Sequence, residues 1–73
     1  MTVASEIHAE MVAIVWKVVV FPGDSVAEGD TLVILESMKM EIPVLAETAG
    51  TVAELKVAEG DVVQEGDVLI TLS

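Results

Sequence analysis

The chain has 73 residues, is 53% hydrophobic with no cysteine, and carries a formal net charge of -10 from thirteen acidic residues against three lysines and no arginine. Its length allows one domain at most. The missing thiols exclude a disulfide framework and a thiolate zinc site, and the acidic balance argues against phosphate backbones and anionic membranes as partners. The high hydrophobicity excludes disorder.

In chain order, Thr2 to Glu10 reads as a short strand that includes His8. Met11 to Phe21 is a β-rich run holding Trp16 and Lys17, and the lysine leaves it too short to span a bilayer. Glu6 and Glu10 stand where a signal peptide would be basic, so a cytoplasmic location is expected. Pro22-Gly23-Asp24 is a turn, because Pro presets φ and Gly permits positive φ. Ser25-Val26-Ala27 is a very short strand, and Glu28-Gly29-Asp30 turns again. Thr31 to Glu36 and Glu41 to Leu45 form two strands around a Met38-Lys39 tip, with Pro43 requiring an edge strand or a non-bonded position because it has no N–H to donate. Glu47 to Gly50 turns. Thr51 to Val57 alternates, with Val52, Glu54 and Lys56 on one parity and Leu55 and Val57 on the other. Glu59-Gly60-Asp61, the short Val62-Val63, Glu65-Gly66-Asp67 and the strand Val68 to Leu72 complete the chain. Short strands broken by regular turns predict an all-β sandwich or barrel, and residues 1–73 are expected to form a single domain.

An internal repeat organises these elements. Gly23, Asp24, Val26, Glu28, Gly29, Asp30 and Leu32 have identical counterparts in Gly60, Asp61, Val63, Glu65, Gly66, Asp67 and Leu69. The match extends outward to Val20 with Val57 and Leu35 with Leu72. Two copies of one supersecondary unit predict a pseudo-twofold arrangement of similar halves. The first copy runs directly into the lysine tip and the second ends at the last residues, which predicts tip and termini at opposite poles.

The tip is the candidate site. The apolar run Thr31 to Leu45 exceeds the ~5–6 residues of a common strand and must fold back on itself. Its midpoint, Met38-Lys39, stands where a two-residue hairpin turn asks for Asn-Gly or Asp-Gly, since both positions take positive φ. Breaking a local rule in this way marks a functional site. A primary amine at such a tip suits covalent modification, whereas Lys17 and Lys56 sit within long strands and are expected to remain unmodified. An exposed lysine is almost entirely protonated at pH 7, and the carboxylates of Glu36 and Glu41, the nearest candidates in the sequence, are not bases strong enough to deprotonate it. Activation must therefore come from a partner enzyme, and the chain is expected to be a substrate with no catalytic residue. Met38 and Met40 admit two readings, gap-filling core or exposed flanks of the lysine, and the residues alone leave both open. The Gly-Asp pairs read as turns rather than calcium loops, because they lack the carboxylate density of a calcium site. His8 has no partner ligand and reads as a surface residue, so no metal site is assigned.

The run Glu36-Ser37-Met38-Lys39-Met40 resembles the Glu-Ala-Met-Lys-Met signature of the biotinyl/lipoyl attachment-domain family, and the paired Gly-Asp-x-Val-x-x-Gly-Asp turns resemble that family too. The resemblance runs from about Met11 to Leu72 and is nearest the free-standing bacterial attachment proteins. It implies a flattened barrel-sandwich hybrid of two four-stranded antiparallel sheets with pseudo-twofold symmetry and the lysine at a hairpin tip. It further implies a biotin carrier. A separate biotin protein ligase would attach biotin to Lys39, with Met38 and Met40 as recognition flanks and Glu36, Ser37 and Glu41 as ligase contacts. The biotin arm would then carry a carboxyl group between biotin carboxylase and carboxyltransferase subunits of a carboxylase in trans. The high net charge, separately, makes a monomer the expected state, with pairing through an edge strand the alternative. Lipoyl domains usually show Asp-Lys-Ala at the tip, so the methionines favour biotin over lipoate. A lipoyl carrier and an unmodified acidic interaction module are the alternatives. The family's Pro-Met-Pro-Gly run is replaced here by Glu10-Met11-Val12-Ala13, which puts the geometry of that first turn in question.

Overall fold

The structure is a computed structural model and describes residues 5–73. It contains eight strands: β1 Ser5–His8, β2 Ala13–Val18, β3 Ser25–Val26, β4 Thr31–Ser37, β5 Met40–Leu45, β6 Gly50–Leu55, β7 Val62–Val63 and β8 Val68–Leu72. They form two four-stranded antiparallel sheets in the orders β1-β8-β6-β3 and β5-β4-β2-β7. The expected barrel-sandwich hybrid is what the chain adopts. Of the predicted first strand, Thr2 to Ala4 lie outside the described residues.

The repeat is structural as well as sequential. The shift that takes Gly23 to Gly60 also takes β2 onto β6, β3 onto β7 and β4 onto β8. Each half lends its two-residue strand to the other half's sheet, β3 to β6 and β7 to β2. Ser5 pairs with Leu72, so the ends of the described chain lie together at the place symmetry-related to the β4–β5 tip.

Four Gly-Asp turns close the ends of the short strands. In each, the Asp N–H donates to the carbonyl three residues back, as Asp24 does to Phe21 at 3.0 Å and Asp61 to Ala58 at 3.1 Å. The preceding glycine takes the positive φ that the third position of a type II turn requires, 94° at Gly23 and 95° at Gly60. The Asp carboxylates return to the backbone: those of Asp24, Asp30, Asp61 and Asp67 accept the N–H of Phe21, Ala27, Ala58 and Gln64 at 2.8–2.9 Å. Turn chemistry accounts for all four pairs. The same turns hold the halves together, since Gly23 N–H donates to Val52 and Val52 N–H to Asp24, each at 2.8 Å.

Between the sheets lies a core in repeat-related pairs: Leu32 with Leu69, Val33 with Ile70, Leu35 with Leu72, Val15 with Val52. None of these side chains is more than 2% exposed, and no buried side chain is polar or charged among the described residues. Fully burying such an aliphatic side chain is worth ~1.5–3 kcal/mol. Pro43 stands on β5, the edge of its sheet, opposite Ile34, as its missing donor allows.

Two details differ from the sequence reading. A bulge between Val52 and Glu54 resets the alternation of β6, so Val52 and Leu55 both face inward although they differ in parity, and Lys56 lies just beyond the strand. The matching bulge between Val15 and Lys17 turns Trp16 and Lys17 together toward solvent. The replacement at Ala13 is also resolved. Its methyl is buried, whereas at the repeat-related Gly50 a Cβ would lie 2.9 Å from the Ser73 carbonyl. The two halves therefore differ in the space they leave at this one position.

Candidate functional site

The strands β4 and β5 meet in a hairpin whose register pairs Ser37 with Met40 and Glu36 with Glu41. Only Met38 and Lys39 remain to make the turn, and both have positive φ, 53° and 67°. This is the two-residue turn whose right-handed match to the strands normally calls for Asn-Gly. For a residue with a side chain the left-handed region costs roughly 1–2 kcal/mol. The rest of the hairpin bears that cost: six ladder pairs and the buried Leu32, Val33 and Leu35 on β4 hold the turn in place. Met38→Asn is expected to stabilise the protein by about 0.5–1 kcal/mol, because asparagine tolerates this conformation. A thermal melt checks it, with a rise of roughly 2–8 °C for a chain of this size. A lower melting temperature would show that the turn is not strained.

The two readings of the methionines are now distinguished. Met38 is 91% exposed and Met40 64%, so neither fills the core. Both flank Lys39, which is itself exposed. Among the described residues the Lys39 ammonium has no carboxylate within 4 Å, whereas the Lys56 amine lies 2.8 Å from Glu54. That hydrogen bond, and then the Glu54 charge, raise the Lys56 pKa above its ordinary value and hold its proton. Lys17 lies over the Trp16 ring, 5.9 Å from its centroid. Lys39 thus has the least engaged amine of the three.

Glu36 and Glu41 sit directly opposite each other and exposed, a like-charge pair that destabilises an isolated hairpin. Ser37 is half-buried at the base of the turn. His8 is exposed, its Nε2 3.5 Å from Glu6 Oε1. A groove of about 440 Å³ opens between β1 and β5, floored by Ile7, Leu35 and Val44, but none of the tip residues lines it. A covalently held group needs no enclosing pocket, and the free, protruding amine fits attachment through an amide. The exposure of Ile14 and Trp16 on the sheet that carries the tip has no local signal in the sequence. Comparing the repeat copies position by position would have found it, since Thr51 and Ala53 stand at the equivalent places.

Fold and tip together define a small β domain that displays one lysine amine to other molecules. Residues 1–72 match the biotin/lipoyl family described as "Biotin-requiring enzyme". The biotinylated protein TB7.3 homolog of Mycobacterium leprae is 58% identical over 71% of this chain and 73% of its own length. The Biotin/lipoyl attachment protein of Bacillus subtilis is 51% identical over 68% of each. The TB7.3 homolog of Mycolicibacterium smegmatis is 67% identical over 59% of this chain and 61% of its own length. Among solved structures, the urea carboxylase of Kluyveromyces lactis superposes with a TM-score of 0.92 and 33% identity over all of this chain and 6% of that one. The lipoyl domain of the 2-oxoglutarate dehydrogenase complex from Azotobacter vinelandii gives 0.76 and 29% over 92% and 95%. The chain belongs to the biotin/lipoyl attachment family.

Proposed function

We propose that the chain is a biotin carrier in which biotin is held as an amide on Lys39 Nζ. The observation that carries this reading is a lysine without an ion-pair partner among the described residues, raised on a positive-φ two-residue turn between two exposed methionines. The relatives named as biotinylated proteins support the choice of cofactor. The neutral Lys39 amine attacks the acyl carbon of biotinyl-adenylate held by a separate biotin protein ligase. The new C–N bond replaces the acyl–phosphate bond, AMP leaves with the electron pair, and the amine gives up a proton. Among the described residues no group beside Lys39 takes that proton, so the base belongs to the ligase and the chain is a substrate of the reaction. Loss of the lysine charge leaves the domain one unit more acidic than -10.

Bound biotin carries a carboxyl group between carboxylase active sites. What this chain supplies is the mounting. The β4–β5 ladder fixes the base of the arm while the exposed tip leaves its end free to swing. A carboxylase with biotin carboxylase and carboxyltransferase centres is the proposed user, supported by the likeness to carboxylase chains. A lipoyl group on the same lysine is the second reading, favoured by the likeness to the lipoyl domain and disfavoured by Met38 and Met40. Intact-mass spectrometry of the protein from its native cells, with fragmentation, separates them. A biotinyl adduct on Lys39 is expected. A lipoyl adduct would overturn the cofactor, and no adduct after incubation with ligase, ATP and biotin would overturn the carrier reading.

A further inference from the structure

We infer that the outer face of the lysine-bearing sheet is the docking surface for the biotin protein ligase, an inference that rests on the carrier reading above. The internal repeat supplies its own control. On this face the register aligns Glu41, Glu36, Ile14 and Val62 in one row across β5, β4, β2 and β7. The next row holds Pro43, Ile34 and Lys17, with Trp16 beside them at the bulge. The other sheet has the same backbone, pairing and bulge, yet its outer face carries Glu6, Thr71 and Glu54 in one row and Thr51 beside Ser25 in the other.

Five positions therefore differ in one direction. Ile14, Trp16, Ile34, Pro43 and Val62 stand where the repeat has Thr51, Ala53, Thr71, Glu6 and Ser25. The fold does not require these large apolar residues, because it is built equally well on four polar residues and one alanine. Trp16 is 46% exposed and Val62 66%. A contiguous apolar patch that burial does not explain marks an interaction surface, and a half-exposed tryptophan is the residue most often found at the energetic centre of one.

Position and charge select the occupant. Among the described residues the patch lies only on the sheet that carries Lys39, and its first row begins two residues from the turn. A ligase must bring its acyl group within one lysine side chain of the tip, so its body must cover the neighbouring face. Once the longer arm is in place, a carboxylase can reach the cofactor without that cover. Glu36 and Glu41 repel each other at the rim, and a lysine or arginine of the partner would relieve them. The partner surface is therefore apolar with a basic rim. A second copy of this chain fits poorly, because an isologous pair would set two charges of -10 and two such glutamate pairs together.

The test exchanges residues between the halves. Ile14→Thr, Trp16→Ala and Val62→Ser are combined in one variant, and Ser25→Val, Thr51→Ile and Ala53→Trp in its mirror. Each is assayed for biotin transfer by the cognate ligase at varied carrier concentration. The first variant is expected to keep its kcat and raise its KM about tenfold or more, with the effect of salt on KM reduced by the lost docking. The mirror variant is expected to match the wild type. If the first variant melts early, Trp16→Ala alone is judged by the same KM. Unchanged KM in a folded variant overturns the inference and leaves the carrier reading standing. A folded wild type that takes no biotin overturns the carrier reading and the inference with it. Sedimentation showing a wild-type dimer that the triple substitution dissociates would assign the face to a second copy and overturn the ligase.

Discussion

Lys39→Arg will fold as the wild type does and take no biotin. Arginine keeps the positive charge and the long stem, and it enters the left-handed turn at the same cost as lysine, so stability should move by less than about 0.5 kcal/mol. The chemistry is another matter. An amide forms only if the nucleophile can present a lone pair, and a guanidinium stays protonated under any condition that a protein survives. Lys17 and Lys56 remain in the variant, one over the Trp16 ring and the other bonded to Glu54, so both serve as internal controls. The checks are intact mass after incubation with ligase, ATP and biotin, and a melting curve. Biotin retained by the variant would move the site to one of the other lysines, and loss of the fold would make the result uninformative about chemistry, which is why both are measured.

Leu69→Ala is expected to act in the opposite way, by destroying the presentation and leaving the amine. Leu69 is fully buried and packs in the core that includes its repeat partner Leu32. Truncating a buried leucine costs about 2–5 kcal/mol, the transfer of the lost carbons plus the cavity they leave. A domain of this size has roughly 3–5 kcal/mol of net stability to lose. The melting temperature should fall by at least about 8 °C, since each kcal/mol moves it by ~4–8 °C in a chain this short. Biotinylation should fall in step with the folded fraction, because the tip exists only while β4 and β5 are paired. Circular dichroism melts beside a transfer assay check this. A melting temperature within about 2 °C of wild type would mean that the site collapses without a cavity.

The two variants separate the parts of the molecule that are written locally from those that are not. The tip was legible in the sequence because its signal is local: a run too long for one strand, a lysine at its midpoint, and no glycine where a turn should be. The four Gly-Asp turns were legible for the same reason, each being a pattern of four residues whose Asp bonds close within the turn, although the glycine N–H groups reach distant segments. The repeat required only a comparison of the chain with itself, and its matched pairs Leu32 with Leu69 and Leu35 with Leu72 lie in the core. Pro43 narrowed its place to an edge or a non-bonded position by what it lacks, and the structure puts it on the edge strand.

What stayed hidden depends on partners far apart in the chain. The bulges at Trp16 and Ala53 appear only when β2 is laid against β4 and β6 against β8, because a bulge is a mismatch in length between two strands and neither strand shows it alone. The reading of strict alternation in β6 failed there. The exposure of both methionines could not be decided from their composition, since methionine serves a core or a surface equally well. The outer face is the clearest case. Ile14, Ile34 and Val62 are scattered along the chain and look like ordinary strand residues until β7, contributed by the other half, completes the sheet.

The sequence by itself determined the all-β class, the twofold repeat, the turns and the lysine, because backbone conformation and covalent chemistry are specified within a few residues. The tertiary structure alone decided the exchange of short strands between halves, the placing of Trp16 and Lys17 on one face, and the open surroundings of the Lys39 amine. Those depend on which surfaces are removed from water when distant segments meet, and that is a property of the assembled sheets rather than of any segment.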